Sequence, residues 1–333
     1  MSEQSTTSTS SVHGLRGRLD LLTLGRIGVD LYPLQSGARL EDVTSFGKFL
    51  GGSPTNVAVA AARHGLAAGV ITRTGDDPFG RFAKEEAARL GVESRWITPV
   101  AGARTTIAFC EIQPPDHFPL YFYRDEVPPE LGIGPEQLDM DAIVEARAFW
   151  STATGLSREP SRAAQHAAWD ARGRAPLTIL DLDYRPGFWQ DAAEAREEIG
   201  HALDKVAVAV GNLEECEIAV GQRRPEAAAD ALLDRGVQLA VIKQGPKGVL
   251  AKTADDTVEV PPTPVEVVNG LGAGDGFGGA LCFALLSAWP LERAIRFASA
   301  AGALVASRLE CSTAMPTTAE VDDLLAASGS TTT

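Results

Sequence analysis

The sequence predicts an α/β protein with a doubly wound, mostly parallel sheet, helices on both faces and a small separate β-sheet. Three observations predict it. Short apolar runs of strand length alternate with longer helical segments along most of the chain, the pattern of a parallel sheet covered on both faces. Two regions, about 31–50 and 104–124, break that alternation with strand-like stretches and no helix between them. Two glycine-rich turns, at 51–56 and 269–280, each open a run of small apolar residues that reads as a helix packed close to a sheet.

Taken in order, residues 1–18 are polar and low in complexity and read as a disordered tail. Residues 19–25 form an apolar run bounded by Arg18 and Arg26, which fits a buried strand. After the break at 31–50, Pro54 suits the first turn of a helix over about 54–64, and a strand follows at 68–73. Gly75-Asp76-Asp77-Pro78-Phe79-Gly80 then turns into a helix at about 78–90. The second break contains Arg104-Thr105-Thr106-Ile107-Ala108-Phe109 and Pro119-Leu120-Tyr121-Phe122-Tyr123-Arg124. Their β-branched and aromatic content suits an antiparallel patch projecting from the main sheet. Strands at 148–152, 177–183, 206–211 and 239–243 alternate with helices at about 159–172, 191–203 and 225–235. The longest apolar run, 277–289, contains glycines and ends at Pro290, so it reads as a buried helix too short to span a bilayer. A second polar tail is expected at 327–333, which leaves one folded domain over 19–326.

Composition narrows the function. The chain has 333 residues, 44% apolar and 22% charged, as an ordinary globular protein has. Its net charge of −14 argues against nonspecific binding to nucleic acid or to anionic membranes. The four cysteines are scattered without a C-x-x-C pair, so neither a disulfide framework nor a zinc site is expected. The opening MSEQSTTSTSS lacks the apolar core of a signal peptide, and a cytoplasmic protein is expected.

The stretch 269–280, Asn-Gly-Leu-Gly-Ala-Gly-Asp-Gly-Phe-Gly-Gly-Ala, carries the strongest chemical signal. It sets one carboxylate, Asp275, directly after Gly272, Ala273 and Gly274 and before a helix. Glycines let the backbone turn tightly and present bare N–H groups, and a helix start adds partial positive charge. An anion-binding turn with an acid at its edge suits phosphoryl transfer to a hydroxyl. The amides hold the phosphate, and the carboxylate takes the proton of the attacking alcohol. One rival is an N-capping Asp on a glycine-rich helix start. Another is a dinucleotide fingerprint, because Gly274, Gly276 and Gly279 fit G-x-G-x-x-G; it fails on context, since no strand follows to complete a βαβ unit. No G-x-x-x-x-G-K-[ST] occurs.

Other residues stand out less sharply. Gly51-Gly52-Ser53-Pro54-Thr55-Asn56 puts Asn56 one turn into its helix, where its amide either meets ligand hydroxyls or caps. Asp30 follows the first strand, where parallel sheets bind ligands; a turn Asp bonded to its own backbone is the alternative. Asp181-Leu182-Asp183-Tyr184-Arg185-Pro186 ends a strand in alternating charge, and a structural Asp–Arg pair fits as well as a ligand contact. Asn212-Leu213-Glu214-Glu215 fits an N-capped helix with acid in its first turn. Lys243-Gln244-Gly245-Pro246-Lys247-Gly248 ends a strand in a hairpin-like turn. None of the five histidines has a catalytic context.

Two signatures, G-G-S-P-T-N with the downstream T-G-D-D-P-F-G and the late G-A-G-D, resemble the ribokinase/PfkB family of sugar kinases over roughly residues 20–325. The resemblance implies a doubly wound α/β domain with a small β-lid over the sugar, formed by the segments near 31–50 and 104–124. It implies ATP as donor, Mg²⁺ as cofactor, Asp275 as catalytic base and the turn Gly272, Ala273 and Gly274 as anion hole. Asp30, Gly51, Gly52 and Asn56 would meet the sugar. Asn212 would lie near the nucleotide phosphates, Glu215 would organise magnesium largely through water, and Lys243, Gly245 and Gly248 would run along the ATP. The family's lid is also a common dimerisation surface, so a homodimer through it is expected. One departure is visible. The family often writes D-T-T before G-A-G-D, and here the three positions are Asn269, Gly270 and Leu271, which puts monovalent-cation activation in doubt.

The D-x-D-x-R segment followed by Trp189 is similar to family members that act on keto-deoxy sugar acids. A carboxylate-bearing substrate wants arginines, and Arg124 and Arg185 are available. The expected activity is ATP-dependent phosphorylation of a terminal hydroxyl of a small sugar acid. 2-Dehydro-3-deoxygluconate, then fructose or ribose, are alternative acceptors, and a catalytically silent sugar-binding regulator is the non-enzymatic alternative.

Overall fold

The computed structural model describes residues 18–35 and 37–329. Its strands, in chain order, are β1 (Leu21–Leu24), β2 (Gly28–Pro33), β3 (Phe46–Gly51), β4 (Ala68–Gly75), β5 (Ile97–Val100), β6 (Ile107–Cys110), β7 (Leu120–Tyr123), β8 (Ala148–Thr152), β9 (Thr178–Asp181), β10 (Val208–Asn212), β11 (Leu239–Lys243), β12 (Val249–Lys252) and β13 (Thr257–Val260). The α-helices are α1 (Ser53–Arg63), α2 (Pro78–Arg89), α3 (Met140–Glu145), α4 (Ser161–Arg172), α5 (Ala192–Leu203), α6 (Leu213–Val220), α7 (Pro225–Asp234), α8 (Ala273–Leu286), α9 (Leu291–Ala306) and α10 (Thr318–Gly329).

Strands such as Leu-Leu-Thr-Leu, Ala-Phe-Trp-Ser-Thr and Thr-Ile-Leu-Asp are buried along their whole length, as strands covered on both faces must be. They belong to a nine-stranded sheet in the order β13-β12-β11-β10-β9-β8-β1-β4-β5. Pairing is parallel from β11 to β5 and antiparallel for β12 and β13 at one edge. Chain order reverses at β1, with β4 and β5 on one side and β8 to β11 on the other. At such a reversal the strand ends diverge into a crevice. Apolar layers on both faces of the sheet join it to the helices.

Small residues set the tightest helix contact. A Cβ at Gly279 would lie 2.4 Å from that of Ala60, and one at Gly278 would lie 2.7 Å from the Trp150 ring. Glycine therefore lets α8 approach α1 and β8 closely, which brings the first turns of both helices together.

The second sheet runs β3-β2-β6-β7, with β2 and β6 parallel and the outer pairs antiparallel. The chain leaves β1, forms β2 and β3, and re-enters the core at Gly52, the cap of α1. There φ is 102° and a Cβ would lie 2.5 Å from the Arg26 carbonyl oxygen. This sheet begins at Gly28, so Asp30 lies on β2 rather than just past a strand of the main sheet.

The C-terminal boundary also differs from expectation. Val321, Leu324 and Leu325 pack against the core and carry α10 through to residue 329, so residues 327–329 are helical. The rest of the two expected tails, 1–17 and 330–333, lies outside the described residues. Among the described residues no helix is long and apolar enough to cross a membrane.

Candidate active site

The carboxyl ends of β1, β9, β10 and β11, the first turns of α1 and α8, and the small sheet enclose a cleft of about 430 Å³. The helix α8 starts on Gly272, whose left-handed backbone (φ 79°) turns the chain into it. A Cβ at that position would lie 2.2 Å from Cys311 Sγ. The Gly276 amide donates to the Gly272 carbonyl at 2.9 Å as the first bond of the helix. The amides of Ala273, Gly274 and Asp275 come ahead of it and lack helical partners.

Asp275 faces the first turn of α1. Its Oδ1 accepts from Ser53 Oγ at 2.7 Å and its Oδ2 from Asn56 Nδ2 at 2.9 Å. Burial pushes its carboxyl up to about 6, against the pull of those two bonds. It is ionised at neutral pH yet close enough to titration to accept a proton, as a general base must be. The capping alternative does not hold, because the cap is Gly272 and no side chain bonds the helix start. Asn56 Oδ1 is buried without a partner, an acceptor open to a ligand hydroxyl.

Alternating charges line the floor. Asp183 Oδ2 accepts from Arg26 Nη2 at 2.8 Å, and its Oδ1 pairs with Arg185 Nε at 3.0 Å. Burial alone would raise the Asp183 carboxyl, but Arg185 and Arg26 hold it below the ordinary range. Arg185 therefore makes the structural pair and lines the cleft as well. Asp181, pushed up by burial, lies 3.9 Å from Lys243 Nζ. Asn212 and Glu215 form a reciprocal capping box: Glu215 N donates to Asn212 Oδ1 at 2.9 Å and Asn212 N to Glu215 Oε2 at 2.7 Å. Both also line the cleft, and burial pushes Glu215 up to about 7. Gly245 (φ 58°) and Gly248 (φ 96°) shape the β11–β12 hairpin; Gly245 borders the cleft, while Gly248 packs on the Val260 carbonyl.

The small sheet closes the other side. Asp30 Oδ2 accepts from Tyr32 OH at 3.2 Å, and burial pushes Asp30 up to about 7. Gly51 touches the Asp30 carboxylate rather than the cleft. Glu130 Oε1 accepts from Thr106 Oγ1 at 3.0 Å, and burial raises Glu130 to about 7 as well. Arg124 lies in an adjoining chamber with Phe122, Arg185, Phe188 and Leu271. Its guanidinium sits 3.7 Å from the centre of the Phe188 ring, and its Nη1 is buried without a partner.

Four contributors lay outside the sequence reading: Ser53, Arg26, Tyr32 and Glu130. Ser53 stands inside a glycine turn already singled out, and its hydroxyl beside two glycines was the available signal. Arg26, Tyr32 and Glu130 carry no local signal, because only tertiary packing turns them into the cleft.

Among the described residues no cluster of three or more His, Cys, Asp or Glu forms a metal cage. Magnesium needs none, since it keeps several waters and takes one or two carboxylates besides substrate phosphates. Glu215 and Asp181 fit that role. Asn269, three residues ahead of the anion hole, is buried with both side-chain groups engaged: its Nδ2 donates to the Leu309 carbonyl at 2.7 Å, and its Oδ1 accepts from Leu271 N at 3.0 Å.

An amide-lined helix start facing an oriented, half-buried carboxylate at a switch point is the arrangement of a small-molecule phosphotransferase. The chain belongs to the pfkB family of carbohydrate kinases, whose pattern matches residues 18–318. It is 34% identical over 314 residues to 5-dehydro-2-deoxygluconokinase of Geobacillus kaustophilus, spanning 92% of this chain and 93% of that one. It is also 34% identical over 307 residues to the enzyme of that name from Photobacterium profundum, spanning 90% and 92%. The fold matches fructokinase with bound ATP from Xylella fastidiosa at a TM-score of 0.82 and 24% identity, over 93% of this chain and 99% of that one. The chain is thus a sugar kinase with the ribokinase-like α/β fold.

Proposed function

We propose that this kinase transfers the γ-phosphoryl group of ATP to the terminal 6-hydroxyl of 5-dehydro-2-deoxy-D-gluconate, a sugar acid of myo-inositol breakdown. The observation that carries the reading is the Asp275 carboxylate, fixed by Ser53 and Asn56 beside the open amides of α8. Asp275 takes the hydroxyl proton as the oxygen forms its bond to phosphorus. The bond from phosphorus to the β–γ bridging oxygen breaks, and ADP leaves with that electron pair. The amides of Ala273 and Gly274 stabilise the charge on the transferring group. Glu215 and Asp181 would hold hydrated Mg²⁺, which supplies positive charge at the phosphates. No step runs through a monovalent cation.

The acid is matched by Arg124. Arg185 is already bonded to Asp183, whereas Arg124 has a buried nitrogen without a partner in a chamber that adjoins the cleft. Asp30 and the unpaired oxygen of Asn56 suit sugar hydroxyls. The small sheet acts as a lid that excludes water, a competing acceptor. Its outward face, where Tyr121 and Tyr123 are exposed, is where a homodimer would form.

The test is ADP release from Mg–ATP with purified protein and four acceptors: 5-dehydro-2-deoxygluconate, 2-dehydro-3-deoxygluconate, fructose and ribose. The first should give the highest kcat/KM. Strong turnover of fructose or ribose with none of the keto-deoxy acids would overturn the substrate, and silence with every sugar would point to a regulator.

A further inference from the structure

Lys243 ends β11, and its side chain turns toward the anion hole. A Cβ built on Gly274 would lie 3.3 Å from Lys243 Nζ, so the ammonium rests against the bare Cα in the middle of the phosphate-binding turn. Its surroundings are acidic, with Asp181, Glu215, Asp275 and Asp183 all acting on it, yet none closes on it. The nearest carboxylate oxygen, on Asp181, is 3.9 Å away, beyond hydrogen-bond distance. The side chain is one-fifth exposed, and that exposed part faces the cleft it lines. An ammonium carries three N–H donors and needs acceptors for them when partly buried. Here the protein brings charge to balance it and leaves the donors open.

From this geometry we propose that Lys243 is a catalytic residue whose ammonium bonds the oxygens of the transferring γ-phosphoryl group, completing the anion hole formed by the α8 amides. The inference rests on the phosphotransferase reading above and not on which sugar is accepted. The chemistry asks for such a group. Phosphoryl transfer spreads negative charge over three equatorial oxygens, and a helix start alone contributes only about half a unit of positive charge. A lysine is a compact point charge suited to phosphate. The competing account makes Lys243 a counter-ion for Asp181 and Glu215, which predicts a stability role without preference among nucleotides.

Three measurements separate the accounts. In Lys243→Met, kcat with any accepted sugar should fall about 10²- to 10³-fold, the range for removing one charge-stabilising donor. Titration calorimetry with magnesium should show affinity for the non-hydrolysable AMP-PNP weakened at least tenfold, while ADP stays within threefold. Because loss of Lys243 leaves acids unpaired and the variant could unfold, wild-type protein supplies the third readout, amine labelling followed by mass spectrometry. AMP-PNP with magnesium should protect Lys243 from labelling at least tenfold more than ADP does. Equal protection by both nucleotides, equal loss of both affinities, or a kcat within fivefold of wild type would overturn the assignment. Both nucleotide readouts are taken without sugar, so a wrong substrate shows as inactivity on the keto-deoxy acid with the AMP-PNP preference intact.

Discussion

Replacing Asp275 with asparagine keeps the shape of the side chain and removes its capacity to take a proton. The carboxylate accepts from Ser53 at 2.7 Å and from Asn56 at 2.9 Å, so its orientation is set before any substrate arrives. With the base gone and the α8 amides intact, kcat should fall about 10²- to 10⁴-fold and nucleotide affinity should change little. A second consequence follows from burial. The carboxyl is raised from 3.8 to about 6 in the folded chain, so ionised Asp275 costs the fold roughly 3 kcal/mol. The sign is that of a raised acid: the group is neutral in both states below 3.8, the cost builds between 3.8 and about 6, and it is fully present above that. Asp275→Asn should therefore melt several degrees above wild type at pH 8, with the gap closing toward pH 4. Coupled ADP-release assays give kcat, and calorimetric melting at both pH values gives stability. Near-normal turnover in the variant would refute the assigned base, and a lower melting point at pH 8 would refute the cost assigned to its burial.

The same carboxyl should set the acid limb of the pH profile. The kcat should fall with unit slope below about pH 6 as Asp275 protonates, and a rate constant down to pH 5 would contradict this. A bidentate arginine–carboxylate contact in a closed site contributes on the order of 1.5–3 kcal/mol, so Arg124→Met should raise KM for 5-dehydro-2-deoxygluconate about 10- to 100-fold and leave an uncharged sugar far less affected. Arg185→Met strips Asp183 of one of its two guanidiniums and should lower the melting temperature as well as activity. A larger KM effect at Arg185 than at Arg124 would reverse the roles given to them.

The fold was legible where burial imposes a simple pattern. β8 and β11 are covered on both faces and open on the apolar runs Ala-Phe-Trp and Leu-Ala-Val-Ile. The hairpin of β12 and β13 went unread because each strand has four residues and β13, at the sheet edge, alternates polar with apolar, whereas α6 was read only at its start, as the capped turn Asn212–Glu215. The site shows the same division. Asp275, Asn56, Glu215 and Lys243 sit in local turns whose glycines and polar residues announce them. Their partners do not, because the bond from Ser53 to Asp275 spans 222 residues and that from Arg26 to Asp183 spans 157. No local pattern encodes such pairs; the strand order that brings them together does. Chemistry alone left Arg124 and Arg185 equivalent as acid ligands, and the observation that separates them, the bond from Arg185 to Asp183, is tertiary.

The junction between the small sheet and the core joins the proposed sugar contacts to the proposed base. The lid strand β3 ends at Gly51, and two residues later Ser53 begins the helix turn that holds Asp275. Gly51 also packs directly on Asp30, because a Cβ there would lie 2.1 Å from Asp30 Oδ1. The obstruction is the Asp30 carboxyl group, its Cγ at 2.3 Å as well as its oxygens, which a turn about χ1 can clear, and Gly51 lies outside the positive-φ region, so Gly51→Ala should still fold. Gly52 is different, since its φ of 102° and the Arg26 carbonyl at 2.5 Å from a Cβ make Gly52→Ala a defect of folding. In Gly51→Ala the Asp30 carboxylate must swing away from where it stands. Losing one charge-assisted bond to a sugar hydroxyl should raise KM for the sugar about 10-fold or more. If the junction also transmits lid position to Ser53 and Asn56, kcat falls with it, whereas KM for ATP, set at the far end of the cleft near β10 and β11, stays put. Sugar and ATP KM values measured on the two variants beside their melting temperatures decide the matter. A Gly51→Ala enzyme with wild-type sugar KM would remove Asp30 from the substrate contacts.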